Sequence, residues 1–360
     1  MTPVDIQTVI HKGVLMDMQD LMKFPIVQGP MAGGASTPAM AAAVSNAGGL
    51  GSLACSLLSP SVMRDQVAII RSLTDQPFLL NFFVQDTPSP APDAVAEAVE
   101  LLRPAWESLG WKELPLPAAW CENFAAQFDA LVDLRPAVAS FTFGILSPAQ
   151  VQRLHRAGIV VIGTVTTVDE ALAWEEAGAD AVVASGIESG GHRGTFLGPQ
   201  EEATLTGKAL WPAVAAAVKI PVIAAGGIMT GVDILEALSL GARAVQMGSA
   251  FLLCDESGIS APYRQALLQA GNTPTRLTRA FSGRYARGLE NRFMQQMNDV
   301  ESRVPAYPVQ NALTTGIRAA AAKAGDTGLM SLWAGAEIRR ARPMSVAKLM
   351  QTLVAEMRTQ

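Results

Sequence analysis

The chain has 360 residues, of which 49% are hydrophobic and 16% are charged. A (β/α)8 barrel needs about 250 residues, so this length allows one barrel with roughly a hundred residues of insertion or appended subdomain. The net charge is −5 and the sequence pI is near 5.4, so electrostatic attraction to nucleic acid or to an anionic membrane is not expected.

Eight short apolar runs, each bounded by turn residues, predict parallel strands that are buried on both faces. The runs cover residues 24–28, 50–53, 78–83, 137–143, 159–163, 181–184, 222–225 and 244–247.

Helix boundaries are marked between these runs. Serine or threonine stands where a helix N-cap is expected, and glycine stands where a helix should end. The caps are Thr37, Ser59, Ser147, Thr167 and Thr230, and the terminating glycines are Gly48, Gly158, Gly178 and Gly241. A regular helix, glycine, strand repeat favours closure into a (β/α)8 TIM barrel over an open doubly wound sheet.

Four segments depart from the repeat. Within a barrel domain of residues 1–254, residues 85–135 predict an insertion after strand three. Residues 255–322 are rich in Arg, Asn and Gln and predict a small, mostly helical substrate or lid subdomain over the C-terminal mouth. Residues 323–360 predict a helical segment that packs back on the barrel, and the first twenty residues predict an extra helix at its bottom.

Barrel enzymes carry their active-site residues in the loops at the carboxyl ends of the strands. After strand one, the glycines of Gln28-Gly29-Pro30-Met31-Ala32-Gly33-Gly34 would let backbone approach a flat ligand, and Met31 could contact a ring. Strand three ends at Asn81, whose amide suits the edge of a heteroaromatic ring. A plain glycine-rich turn and an asparagine that caps its own loop remain open alternatives.

The loop after strand six runs from Ser185 through Gly190 to Gly194 and carries the polar side chains of Glu188, His192 and Arg193. His192 is the candidate catalytic residue, because an anionic substrate or a transferable proton would meet it at the barrel mouth. Glu188 either orients the loop or joins a surface ion pair. Arg193 either contacts an anion or is a solvated charge.

Paired glycine loops after strands seven and eight predict a phosphate site, since barrels commonly bind phosphate there through backbone N–H groups. The candidate residues are Gly226, Gly227, Gln246, Met247, Gly248 and Ser249.

The remaining histidines and the cysteines lack metal-site spacing. We expect no metal, and we expect Cys55, Cys121 and Cys254 to be reduced thiols. No stretch approaches 18 consecutive apolar residues, and no basic segment precedes an apolar run at the N-terminus. We therefore expect a cytoplasmic enzyme that binds neither nucleic acid nor a membrane, and a homodimer is compatible with the sequence.

Residues 28–34, 43–51, 190–195, 224–228 and 246–249 resemble the nitronate monooxygenase family, formerly the 2-nitropropane dioxygenases. The resemblance implies an FMN-dependent barrel. It places the FMN phosphate at Gly227 and the 246–249 loop, the ring near Met31, Asn81 and Gly190, and the active-site histidine at His192. The chain departs from the family at Ser185, where glutamine is frequent, and at Thr142, where many members have histidine.

Three functions follow as hypotheses. In the first, O2 oxidises an alkyl nitronate such as propionate-3-nitronate to a carbonyl compound and nitrite through a flavin semiquinone, and a protonated or donating His192 holds the nitronate oxygens. In the second, FMN serves an NAD(P)H-dependent quinone or enoyl-acyl-carrier-protein reductase. In the third, the barrel binds a phosphorylated metabolite as an aldolase, isomerase or sensor.

Overall fold

The computed structural model describes residues 21–358, so the helix expected in the first twenty residues lies outside the described part. The strands are β1 (Ile26–Gln28), β2 (Gly51–Ala54), β3 (Phe78–Phe83), β4 (Val138–Thr142), β5 (Val160–Val165), β6 (Ala181–Ser185), β7 (Gly191–His192), β8 (Val222–Ala225), β9 (Ala244–Met247), β10 (Thr275–Thr278) and β11 (Ala286–Leu289). The helices are α1 (Pro38–Asn46), α2 (Pro60–Leu73), α3 (Pro92–Leu101), α4 (Arg103–Ser108), α5 (Phe124–Leu134), α6 (Pro148–Arg156), α7 (Val168–Ala177), α8 (Gly207–Ala217), α9 (Gly231–Ser239), α10 (Ala261–Leu268), α11 (Arg292–Met297), α12 (Val309–Ala324) and α13 (Val346–Arg358). None of these helices is both long enough and apolar enough to cross a membrane.

Eight parallel strands form one barrel, in the order β1-β9-β8-β6-β5-β4-β3-β2. The two ends of this sheet meet where Gln28 N donates to Leu50 O at 2.9 Å and Leu50 N donates to Ile26 O at 2.9 Å. Each apolar run of the sequence forms one of the barrel strands. The prediction of a (β/α)8 barrel is therefore confirmed.

The predicted helix caps are present in the structure. The hydroxyl of each cap residue accepts a hydrogen bond from a backbone N–H in the first turn of its helix, which satisfies one of the N–H groups left free there. The four terminating glycines have φ between 77° and 99°, a region that residues with a side chain rarely adopt. The caps are Thr37, Ser59, Ser147, Thr167 and Thr230.

Apolar side chains form three buried clusters that correspond to three layers. Val27, Leu79 and Ile162 belong to the cluster that fills the barrel interior. A second and larger cluster lies between the strands and the surrounding helices. In this layer Trp174 of α7 lies so close to Gly163 of β5 that a Cβ there would be 2.3 Å from the indole ring.

The eighth barrel helix is α13, which returns to the barrel from the C-terminal end of the described chain. It contacts α9 and α1, the helices that follow the seventh and the first barrel strands. Val346, Leu349, Met350 and Leu353 bury its apolar face in the outer cluster of the barrel. The ring of helices is therefore completed only after the intervening segment 255–345.

That intervening segment covers the C-terminal mouth of the barrel, and its apolar side chains form the third cluster together with residues of α3 and α4. It contains α10, α11 and α12 and also β10 and β11, two strands that the sequence analysis did not predict. Strand β11 pairs antiparallel with β7, so that Ala286 lies opposite His192 and Arg287 lies opposite Gly191. The loop that follows β6 is thereby joined to the segment over the mouth.

Candidate active site

A cavity of about 980 Å³ lies at the carboxyl ends of the barrel strands, between them and the segment 255–345. Within the described residues no group of three or more His, Cys, Asp or Glu could hold a metal ion. All eleven residues predicted to form the site line this one cavity, while their roles stay predictions. They are Met31, Asn81, Ser185, Gly190, His192, Gly226, Gly227, Gln246, Met247, Gly248 and Ser249.

The glycine-rich loop after β1 is folded back by buried hydrogen bonds. The Gln28 side chain donates to Ser36 Oγ at 2.9 Å and accepts from Ser52 N at 2.9 Å. Ser36 Oγ also accepts from Met31 N at 2.9 Å. These bonds bring Met31 Sδ to 3.9 Å from the position that a Cβ on Gly248 would occupy. The first loop and the last loop of the barrel therefore meet at one side of the cavity.

The loops after β8 and β9 lie side by side because Ala225 and Gln246 are paired in adjacent strands. Gly227 has φ of +73°, a conformation that favours glycine, and its backbone lines the cavity. Ser249 Oγ accepts a hydrogen bond from Gly335 N at 2.8 Å, so the hydroxyl hydrogen remains free to be donated. Backbone and one hydroxyl thus form a concave surface suited to an anion.

Asn81 is held against β4 by its amide nitrogen, which donates to Ser140 Oγ at 2.9 Å and to Thr142 Oγ1 at 3.4 Å. Its oxygen is therefore the amide atom left for a ligand. Thr142 is also 3.2 Å from Thr164 Oγ1, and both threonines line the cavity. A hydroxyl network occupies the position where the resemblance leads one to expect histidine.

Arg193 is neither an anion contact nor a solvated charge, the two alternatives left open by the sequence. It is 1% exposed and donates to the carbonyl oxygens of Ser185 at 3.0 Å, Gly186 at 2.7 Å and Ala203 at 3.1 Å. Burial lowers its pKa to about 10, so it stays charged at neutral pH. Glu188 accepts from Gly207 N at 2.9 Å and orients the same loop.

His192 stands inside an aromatic enclosure whose members come from three parts of the chain. The ring centroids of Phe83, Phe143, Tyr307 and Trp333 lie 6.3, 5.5, 5.7 and 5.5 Å from the imidazole. Phe143 has φ of +77°, which is strained for a residue with a side chain and occurs mainly where surrounding structure enforces it. The enclosure limits the water that can reach the imidazole.

The hydrogen bonds of His192 define its tautomer. Ser282 Oγ donates to Arg284 O at 3.0 Å, so the same oxygen accepts from His192 Nε2 at 2.9 Å. Burial lowers the pKa of His192 to about 3, with further lowering from the positive charges of Arg284 and Arg318. The imidazole is therefore neutral at pH 7 in the free protein.

Sequence reasoning missed several cavity residues, because two are apolar aromatic residues at strand ends and the others lie in the segment over the mouth. They are Phe83, Phe143, Tyr307, Arg318 and Trp333. One signal was present in the sequence: Asn311, Thr315 and Arg318 recur at helical spacing on the otherwise small-residue helix α12. Such a polar stripe indicates a helix face that meets water or a ligand.

Comparison with known proteins finds relatives that match nearly the whole chain. The family model described as nitronate monooxygenase matches residues 16–356. A probable nitronate monooxygenase of Staphylococcus aureus strain Newman is 40% identical over 334 residues, covering 92% of this chain and 94% of the relative. The counterpart in strain MSSA476 is 41% identical over 321 residues, covering 89% and 90%.

Two solved structures extend the comparison. The nitroalkane oxidase of Streptomyces ansochromogenes is 43% identical, with a TM-score of 0.88 over 94% of this chain and 97% of that one. FabK of Thermotoga maritima is 29% identical, with a TM-score of 0.74 over 95% and 96%.

Proposed function

This chain belongs to the nitronate monooxygenase family, a family of oxidoreductases, and we propose that it oxidises alkyl nitronates such as propionate-3-nitronate with O2, using FMN, to a carbonyl compound and nitrite. The observation that carries the proposal is one cavity that brings the glycine loops after β8 and β9 together with a neutral, enclosed His192. The likeness to a nitroalkane oxidase over nearly the whole chain supports the coarser statement that the substrate is a nitro compound or its anion.

The residues present fit FMN at the phosphate end. Gly227 and Gly248 leave backbone exposed to the cavity. The hydroxyl hydrogen of Ser249 is free to be donated to an acceptor such as a phosphate oxygen. A Cβ on Gly190 would lie 2.4 Å from Gly335 N, so the wall of the cavity at this point is too tight for a side chain. Because Gly190 has no side chain, its backbone can pack on residues 334–335 and still line the cavity.

The ring of FMN would lie between Met31 and the ends of β3 and β6. Met31 offers a polarizable sulfur, and the Asn81 oxygen would accept from a ring N–H. Ser185 donates to Ser189 Oγ at 2.9 Å, so it contributes less to a ring than a longer side chain would. When bound, FMN would accept electrons from the nitronate, and O2 would complete the oxidation.

The charges around His192 favour an anionic substrate. Arg284 and Arg318 both oppose protonation of the imidazole, which means that the cavity beside it has a positive potential. A nitronate is already an anion, so its negative oxygens gain from this field and no strong base is required. A neutral nitroalkane would have to give a carbon-bound proton to an imidazole whose pKa is about 3, a weak base at neutral pH.

Oxygen consumption with propionate-3-nitronate tests the proposal. The purified protein should have the visible absorption of a flavin and should consume O2 and release nitrite faster than the same concentration of free FMN. His192→Gln is the matched control. If this variant keeps the flavin spectrum but consumes O2 more slowly, the reaction takes place in the cavity beside His192. A colourless protein, or turnover equal to that of free FMN, would refute the proposal.

The second candidate is an NAD(P)H-dependent quinone or enoyl reductase, since the same cavity could hold FMN for either reaction. Anaerobic mixing separates the two. Rapid bleaching of the flavin by NADH or NADPH, without bleaching by the nitronate, would favour the reductase.

A further inference from the structure

Arg318 differs from every other cation near the cavity. It lies on α12 and is the only lysine or arginine among the described residues that line the cavity. By contrast, Arg193, Arg284 and Arg287 lie outside this lining. Among the described residues, Arg318 therefore carries the one guanidinium that a ligand in this cavity could contact.

The Arg318 guanidinium is held in place by neutral groups. Its Nη2 donates to Asn311 Oδ1 at 2.9 Å and to Thr315 Oγ1 at 3.0 Å. Its Nη1 makes only a long contact of 3.4 Å with Ser331 Oγ. Because Nη1 carries two hydrogens, this edge of the guanidinium retains donor capacity.

No carboxylate neutralises this cation. The ion pairs of the part of the chain that the structure describes do not include Arg318. Burial lowers its pKa to about 10, so it is still protonated at pH 7. Arg318 is half-buried, so its charge is incompletely solvated, and an anionic ligand would offset that cost.

Arg318 lies close to the expected reaction site. Its charge acts on both His192 and Tyr307. Ser331, which contacts Arg318, is two residues from Trp333, whose ring is 5.5 Å from the imidazole. A short molecule could therefore touch the enclosure around His192 at one end and Arg318 at the other.

We infer that Arg318 is a specificity-determining residue that binds the carboxylate of a short nitronate. The preferred substrates are then nitronates that carry a carboxylate a few bonds from the nitronate carbon, in preference to simple alkyl nitronates. The planar guanidinium suits a carboxylate, with which it forms charge-assisted hydrogen bonds. This inference rests on the proposed nitronate oxidation.

Two substrates matched in shape test the inference. Propionate-3-nitronate carries the carboxylate, and 3-methylbutyl-1-nitronate replaces its two oxygens by methyl groups. Arg318→Met should lower kcat/KM for propionate-3-nitronate by about 10- to 150-fold, mainly through KM, as expected for a lost charge-assisted hydrogen bond. The same variant should lower kcat/KM for the alkyl nitronate clearly less, because that substrate loses only the weaker effect of the Arg318 charge on its nitronate oxygens. Equal losses on both substrates would overturn the inference, because they indicate a merely structural role.

Arg318→Lys keeps the charge without the planar fork and should recover part of the preference for the carboxylate. Arg64→Met is the matched control, since Arg64 is exposed on α2 and pairs with Asp133 at 3.4 Å, outside the cavity lining. The control should behave as the wild type on both substrates. If Arg318→Met fails to fold, an unchanged preference in Arg318→Lys together with unchanged succinate binding would overturn the inference.

Succinate binding gives a readout that does not depend on turnover. Succinate has the length of propionate-3-nitronate, with a carboxylate in place of the nitronate group, and it is not oxidised by loss of nitrite. Calorimetric titration of the purified protein should give a Kd that rises at least tenfold in Arg318→Met. Should the protein oxidise no nitronate, the proposed function fails, while succinate still decides whether Arg318 binds a carboxylate. Equal affinity of wild type and Arg318→Met for succinate would overturn the assignment.

Discussion

Gly190→Ala is the substitution whose effect the structure defines most closely. The added Cβ would lie 2.4 Å from Gly335 N and 2.6 Å from Ala334 C, both of them backbone atoms that no side-chain rotation can move away. Overpacking of this kind costs about 1–3 kcal/mol. A shift of Gly335 would also break its 2.8 Å hydrogen bond to Ser249 Oγ, worth about 0.5–1.5 kcal/mol. We expect a total loss of about 2–4 kcal/mol in the free energy of unfolding.

The same shift disturbs the proposed phosphate site, so FMN affinity should fall at least about fivefold, which corresponds to roughly 1 kcal/mol. Urea unfolding and fluorescence titration of the apoprotein with FMN measure the two effects. Gly158→Ala is the matched control, because Gly158 ends α6 with φ of +77° and has no atom within 4 Å of the added Cβ. It should lose stability through backbone strain alone and keep FMN affinity. Wild-type stability and FMN affinity in Gly190→Ala would refute the reasoning.

Three further outcomes can be measured. The pKa of His192 is about 3 in the folded protein, below the ordinary value of 6.5, so the unfolded chain takes up a proton as the pH falls below 6.5 and stability is lost between pH 6.5 and 3. Urea unfolding at pH 7 and pH 5 should show the wild type losing about 2 kcal/mol more than His192→Gln, and equal losses would contradict a neutral imidazole. Ser249→Ala should weaken FMN binding about 10-fold or more, because a hydroxyl donor to a charged oxygen is removed, and an unchanged Kd in the fluorescence titration would place the phosphate elsewhere. Arg193→Met should cost more than about 3 kcal/mol in urea unfolding, because three buried carbonyl groups lose their donor, and a smaller loss would mean that the loop can rearrange.

Much of the barrel could be predicted from the sequence because its signals are local. A buried parallel strand is apolar on both faces, a threonine such as Thr167 satisfies an N–H three residues away, and a glycine such as Gly178 is required where φ is positive. Each of these constraints acts within a few residues. The site residues at the ends of barrel strands, such as Asn81 and Ser249, could be predicted for the same reason, since the fold alone brings those ends together.

The electrostatic state of the site could not be predicted from local signals. His192 belongs to a recognisable loop, yet its neutrality depends first on burial and then on the charges of Arg284 and Arg318, which lie far along the chain. Arg193 holds its loop by donating to backbone carbonyl groups, and these groups face its side chain only in the folded loop. Burial and charge are sums over neighbours in space, so they require the tertiary structure.

The sequence by itself determined the order of strands and helices, the closure into a barrel and the loops that line its mouth, because hydrophobic period, caps and glycine conformations are properties of short segments. Only the tertiary structure decided what covers that mouth. Strand β11 pairs with β7 across 94 residues of chain, from Ala286 to His192, and α12 brings Arg318 to the cavity. Such contacts depend on which surfaces fit together after the chain has folded, and no spacing within the sequence specifies them.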